Sequence, residues 1–237
     1  MALPILNNAS LHELTVPSTG KTYNYRPYLV KEEKILLQAK ESNDDKLMMK
    51  SLTKLIESCV EDINTNELTT FDVEYIFLTL RGKSSGEIIK VGYGCSHCEA
   101  ANDVEVNLAN IKIANENGAS TATIQLTPDI TLDLGHVKYN KMLNEMNHKK
   151  NKNETDEVFK LVKNCIISVN TKEERAIFAD EPVQDQDAFI DSLSSAQFQK
   201  ITDFITNGPA VVYEDNIICT SCKEEFKIEL RGMASFF

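Results

Sequence analysis

Apolar positions along this chain change period several times, and each change marks an element. Residues 11–29 place Thr, Val and Tyr on either side of Pro17-Ser18-Thr19-Gly20, which reads as two short strands closed by a turn. Beyond Val30 the pattern becomes helical: Leu52, Leu55, Ile56 and Cys59 share one face, and so do Val73, Ile76, Phe77 and Leu80, so three helices are expected before Gly82. Alternation returns in Ile89, Val91 and Tyr93 and again in Val104, Val106 and Leu108, with further strands expected at 121–126 and 130–134 around Thr127-Pro128-Asp129. Two more helical stripes follow, Tyr139, Met142, Leu143 and Met146, then Val158, Leu161, Val162 and Cys165. After a polar stretch at 181–187, Ser194 and Gln197 form a capping-box pair ahead of Phe198, Ile201 and Ile205, and Gly208-Pro209 stops that helix. Strands at 211–218 and around Phe226, Ile228 and Leu230 close the chain.

The fold class that follows is α+β, helical regions combined with small antiparallel β elements. The segments are a hairpin (1–29), a helical region (30–85), strands (86–135), a second helical region (136–209) and final strands (210–237). At 237 residues, 42% hydrophobic and 26% charged, the chain is long enough and apolar enough for a sizeable core.

Charge narrows the function. The formal net charge is −11, from 36 acidic and 25 basic side chains, so no nucleic-acid partner is expected. The densest basic group, Lys149, Lys150 and Lys152, lies among Asn and Glu and reads as a solvated linker. The opening residues lack a secretory pattern and no run is long enough to span a bilayer, so the expected setting is a reducing cytoplasm with no membrane partner.

Four of the six cysteines change the picture. Cys95 and Cys98 sit between two alternating segments, Cys219 and Cys222 sit between two others, and the pairs mirror each other as strand, Cys-x-x-Cys, strand. Two such turns supply the closed tetrahedral shell of a structural Zn²⁺, a split zinc-ribbon-like site of four thiolates, although the pairs stand about 120 residues apart. An iron–sulfur or redox role and unliganded buried thiols are the alternatives. A redox Cys-x-x-Cys needs a helix after the first thiol, whereas strand periodicity follows both pairs. His97 lies inside the first turn and is not assigned as a ligand; Cys59 and Cys165 end apolar helical stripes and read as core residues.

Little else suggests chemistry. Gly20-Lys21-Thr22 and Gly82-Lys83-Ser84 imitate a phosphate loop, but the required first glycine is Thr15 in one and Phe77 in the other. Asp44-Asp45 and the acids of 185–191 read as helix starts and solvated faces, and the four histidines form no catalytic pattern. No enzyme activity, catalytic residue or small-molecule substrate is expected. A zinc-ribbon transcription accessory and a CxxC thiol oxidoreductase stay open as rival functions; the first calls for a basic groove and the second for a helix after Cys98 or Cys222.

The run Leu14-Thr15-Val16-Pro17-Ser18-Thr19-Gly20-Lys21, continued by Tyr25-Arg26-Pro27-Tyr28-Leu29-Val30-Lys31-Glu32-Glu33-Lys34, resembles the opening of a baseplate protein family of T-even-type contractile-tailed bacteriophages. That resemblance implies a non-enzymatic viral protein of the tail baseplate hub, a subunit or a hub-assembly factor, with other hub proteins as partners. It implies a location in the virion's tail baseplate or in the host cytoplasm during assembly, and it carries no site residues over.

Two further expectations concern geometry. The mirrored strands predict that both halves of the ribbon meet in one small sheet. Met233, Phe236 and Phe237 form an aromatic tail covered either by the protein's own core or by a partner.

Overall fold

The structure is a computed structural model that describes residues 10–114, 121–145 and 154–236. Met146, Lys149, Lys150, Lys152 and Phe237, named above, lie outside the described residues.

The chain begins with β1 (His12–Thr15) and β2 (Thr22–Tyr25), paired antiparallel from His12↔Tyr25 to Thr15↔Thr22. Gly20, at φ +67°, returns the turn by donating its N–H to Val16 O at 2.9 Å, a conformation open to glycine without steric cost. Three helices follow, α1 (Val30–Glu41), α2 (Asp45–Cys59) and α3 (Thr70–Ser85). Asp44 caps α2 by accepting from Lys46 N and Leu47 N, and Thr69 with Asp72 closes a capping box on α3. The residues Val73, Ile76, Phe77 and Leu80 are buried on α3, but so are Phe71 and Leu78, so this helix is covered on more sides than one stripe implies. It is the centre of its unit, packed by α2 and by the later strand and C-terminal turn described below.

The conspicuous N-terminal run works as a joint between these elements. Tyr25 is buried, and Arg26 donates to Pro27 O (3.0 Å), Ser58 O (2.9 Å) and Glu32 Oε1 (3.0 Å), while Glu32 Oε2 accepts from Leu29 N (2.8 Å). Tyr28 N donates to Ser84 Oγ and its hydroxyl meets Ser85 Oγ, both at 2.8 Å. Asp72, fully buried, accepts from Ser18 N at 2.9 Å and so fixes the hairpin turn on α3.

Next come β3 (Ile88–Gly94) and β4 (Ala101–Asn107), an antiparallel pair registered from Ile88↔Asn107 to Gly94↔Ala101, and the short β5 (Lys112–Ala114). A second compact unit, Ala114–Pro209, is inserted here. It holds β6 (Thr121–Thr127), β7 (Ile130–Gly135), α4 (Tyr139–Glu145), α5 (Glu154–Cys165), β8 (Ile166–Asn170), β9 (Arg175–Ile177), α6 (Val183–Asp191) and α7 (Ser195–Thr206). The strands form one sheet in the order β6-β7-β8-β9, each pair antiparallel. Leu132, Leu134, Val162, Ile166, Phe178, Ile190 and Ile201 make its core. The capping box of Ser194 and Gln197 opens α7. The start of α6 falls inside the polar stretch at 181–187, with Pro182 at its N-cap.

The chain returns to the first unit with β10 (Ala210–Ile218) and β11 (Glu225–Arg231), antiparallel from Val212↔Arg231 to Ile218↔Glu225, and ends in a 3₁₀ turn, Met233–Phe236. Phe236 is 1% exposed and packs into the protein's own core. The fold is α+β as expected, but one geometric expectation is corrected. The two cysteine hairpins do not share a sheet: β3-β4 is a separate ribbon, and β10 lies between β11 and β5. Because β5 and β11 occupy both edges of β10, the first hairpin reaches the second through its turn and side chains.

Candidate metal centre

The two Cys-x-x-Cys turns are built alike. In the first, Cys95 N donates to Ala100 O (2.9 Å), Glu99 N to Cys95 O (2.9 Å) and His97 N to Cys95 Sγ (3.4 Å). In the second, Cys219 N donates to Glu224 O (2.9 Å), Lys223 N to Cys219 O (3.1 Å) and Ser221 N to Cys219 Sγ (3.4 Å). Glu99 and Lys223, at matching positions, both take left-handed φ values of 61° and 65°, a conformation that costs a side chain of this kind about 1 kcal/mol.

The turns then face each other. Cys95 Sγ lies 3.8 Å from Cys222 Sγ, Cys98 Sγ lies 3.7 Å from Cys219 Sγ, and the four sulfurs are all within 4.8 Å of one another. A tetrahedron of bonds about 2.3 Å long has edges of about 3.8 Å, whereas a disulfide requires about 2.05 Å. All four cysteines are free thiols, so the spacing fits a four-coordinate metal. Cys95 and Cys219, the first residue of each pair, are buried; Cys98 is exposed and Cys222 half-buried.

The two thiols of the second turn differ in their readiness to ionise. The Cys222 backbone N–H, with that of Ser221 and the neighbouring thiols, lowers the Cys219 thiol to about 6 against the pull of burial. The Glu224 N–H favours the Cys222 thiolate, but burial and the sulfurs of Cys98, Cys219 and Cys95 outweigh it and push that thiol up to about 12. One sulfur ionises readily and then holds the proton on its neighbour; a divalent ion removes that conflict.

Side chains outside the quartet connect the hairpins. Asn102, on the inward face of β4 with Val104 and Val106, reaches Cys219 and Thr220 of the other turn. Tyr93 sets its ring 6.4 Å from that of Phe226, and its hydroxyl accepts from Glu229 N at 3.5 Å. His97 Nε2 meets Glu225 O at 3.3 Å, which places this histidine beside the quartet and not in it. The chain that carries this centre matches a family model described as T4 bacteriophage base plate protein over residues 9–237. It belongs to that baseplate family. No curated protein and no solved structure matches it.

For this baseplate protein the family gives a viral, structural setting in the phage baseplate with other baseplate proteins as neighbours. Among the described residues no helix is long and apolar enough to cross a membrane. The four cysteines named from the sequence are brought together here; Asn102 and Thr220 were not singled out, and Tyr93 was named only for its strand alternation. Asn102 carried a faint signal: it continues the alternation of Val104 and Val106 by one step, as a polar residue on the core-facing side. The remaining chemistry-like motifs have structural places. Gly20-Lys21-Thr22 lies in the hairpin turn and Gly82-Lys83-Ser84 in the last turn of α3. Cys59 and Cys165 are buried, and burial pushes the Cys165 thiol up to about 11. A cavity of about 670 Å³ lies between α5 and α6, where Lys163 pairs with Asp187 beside Lys160 and Asp191.

Proposed function

We propose that this chain is a non-enzymatic subunit or assembly factor of the baseplate hub, whose first unit is held closed by one structural Zn²⁺ on Cys95, Cys98, Cys219 and Cys222. The convergence of the four sulfurs carries the zinc part of the reading. The hub assignment rests on the N-terminal run 14–34 within the family match over residues 9–237. When bound, the ion supplies a closed thiolate shell with no open position for substrate, a staple and not a reaction centre. The expected partners are other hub proteins, in the virion or in the host cytoplasm during assembly, with no nucleic acid, membrane or small-molecule substrate.

The rival readings find no support at the site. Strands β4 and β11 follow the two cysteine pairs, so neither first thiol stands at a helix N-terminus as a thiol oxidoreductase needs. The exposed charge of the hairpins is mixed and mainly acidic, with Glu99, Asp103, Glu105, Glu214, Asp215, Glu224, Glu225 and Glu229 beside Lys90, Lys223, Lys227 and Arg231, where a transcription accessory would present a basic groove.

Elemental analysis of the purified chain is expected to give about one zinc per molecule, lost together with the fold of the first unit in Cys95→Ser and Cys219→Ser. Metal binding to such sites is worth about 10–16 kcal/mol in peptides, against a net domain stability of about 5–15 kcal/mol. Metal-free protein that melts unchanged would overturn the structural zinc. Mass spectrometry of purified phage beside infected-cell lysate separates a hub subunit from an assembly factor, and absence of any hub protein from its cross-linked complexes refutes the hub assignment.

A further inference from the structure

We propose that Asn102 is the positioning residue that sets the two cysteine turns in register for their metal before it binds; the proposal rests on the metal reading above. Its amide is 3% exposed and every group on it is used. Nδ2 donates to Ala100 O at 2.9 Å in its own turn and to Cys219 Sγ at 3.7 Å in the other. Oδ1 accepts from Thr220 N at 2.8 Å and from Thr220 Oγ1 at 2.9 Å. Because the Thr220 N–H can only donate, the oxygen must face it, and this fixes the nitrogen on the sulfur side.

The position makes the contact conditional on assembly. On β4 the inward side is otherwise Val104 and Val106, and the matching place in the second hairpin holds buried Phe226. A carboxamide among such residues is tolerated only when its hydrogen bonds are made, and the partners for Oδ1 belong to the second turn. With the turns apart, Oδ1 loses both Thr220 partners and the amide is open to water; with the turns together, both bonds are made and Cys219 gains an N–H donor. The amide thus favours the geometry in which the sulfurs converge, so less ordering remains when the ion arrives.

The test is a Zn²⁺ titration of the full-length reduced chain against a chromophoric chelator, repeated with Co²⁺ to read the sulfur-to-metal absorption band. Asn102→Ala is expected to weaken Zn²⁺ binding about 10- to 100-fold and to shift the Co²⁺ band, because the N–H···S contact is gone. Thr220→Val, which keeps the backbone N–H and loses only the hydroxyl, is expected to weaken binding less and in the same direction. If Asn102→Ala lowers the melting temperature yet binds Zn²⁺ within twofold of wild type with an unshifted Co²⁺ band, Asn102 merely supports the fold and the proposal is wrong. If that variant does not fold, unchanged affinity in Thr220→Val overturns it instead. A wild-type chain that takes up no metal overturns the zinc reading and this one together, whereas one metal per wild-type chain with an indifferent Asn102→Ala overturns this one alone.

Discussion

Replacing Phe236 by Ala tests how the end of the chain is held. The Phe236 ring is 1% exposed in a 3₁₀ turn that packs on α3 and β11. The turn is latched on both sides: Gly232 N donates to Val211 O at 2.8 Å, Ser235 Oγ to Arg231 O at 2.7 Å, and Arg81 reaches Phe236 O at 3.3 Å. These bonds use backbone oxygens or neighbouring residues, so the substitution removes the ring and leaves the latch. A fully buried Phe→Ala change costs about 3–5 kcal/mol, transfer plus cavity. In a chain of this size, where 1 kcal/mol moves the midpoint by about 2–4 °C, the melting temperature should fall by roughly 6–20 °C. Thermal and urea unfolding followed by circular dichroism, in reducing buffer with zinc present, measures it. A midpoint within about 2 °C of wild type, accompanied by loss of partner capture, would show that the ring is a docking anchor and refute the core placement.

Two carboxylates should respond to pH in opposite senses. Burial alone would raise the Glu32 carboxyl, but the hydrogen bonds from Arg26 and Leu29 N prevail and lower it. Its contribution is therefore present above the unfolded value near 4.3 and lost as pH falls through the folded one. Glu32→Gln should cost about 1–3 kcal/mol at pH 7, with the gap to wild type narrowing as pH falls below the unfolded value; a gap that does not narrow at all on acidification would contradict the ion-pair account. Burial raises the Glu74 carboxyl, only partly offset by the Met233 N–H, so folding favours its protonated form and that stability is lost as pH rises through the folded value. Glu74→Gln should accordingly raise the melting temperature at pH 7 and leave it unchanged near pH 4, and equal effects at both would rule out the charge as the cause.

Elements set by local rules were readable in the sequence. Pro17 to Gly20 give the turn, Ser194 with Gln197 the helix start, and Gly208-Pro209 the stop, because each acts through its own backbone within a few residues. Strands β5, β8 and β9, which were not read, lack such punctuation. Helix α5 passes into β8 between Cys165 and Ile166 with no glycine or proline to mark the change, and β5 and β9 are three residues each, too short to show a period. The cysteines were legible because ligand spacing is a chemical constraint independent of fold. Asn102 was not, because its partners Cys219 and Thr220 are distant in sequence and nothing near Asn102 announces them. The single sheet expected of the ribbon failed for a similar reason: β5 takes the edge of β10, a pairing between segments distant in sequence that no local signal announces.

The long gap between the cysteine pairs, the feature least like a compact ribbon, weighs little once energies are compared. Cys98 and Cys219 are separated by 121 positions. Relative to a linker of about twenty residues, closing a flexible loop of that length costs only about 1.6 kcal/mol more, because the entropy grows with the logarithm of length. The real difference is smaller, since the intervening chain is no flexible loop. The unit Ala114–Pro209 has its own core, leaves from β5 and returns into β10, and those two strands are paired neighbours in one sheet. Its two ends are thus joined at the sheet before any metal is considered, and the effective loop is shorter than the sequence suggests. Against about 10–16 kcal/mol for a thiolate-bound zinc, an insertion of this kind is nearly neutral. A split ribbon is therefore as sound a site as a compact one, and the mirrored flanks of a Cys-x-x-Cys pair are the stronger guide to it than the distance to its partner.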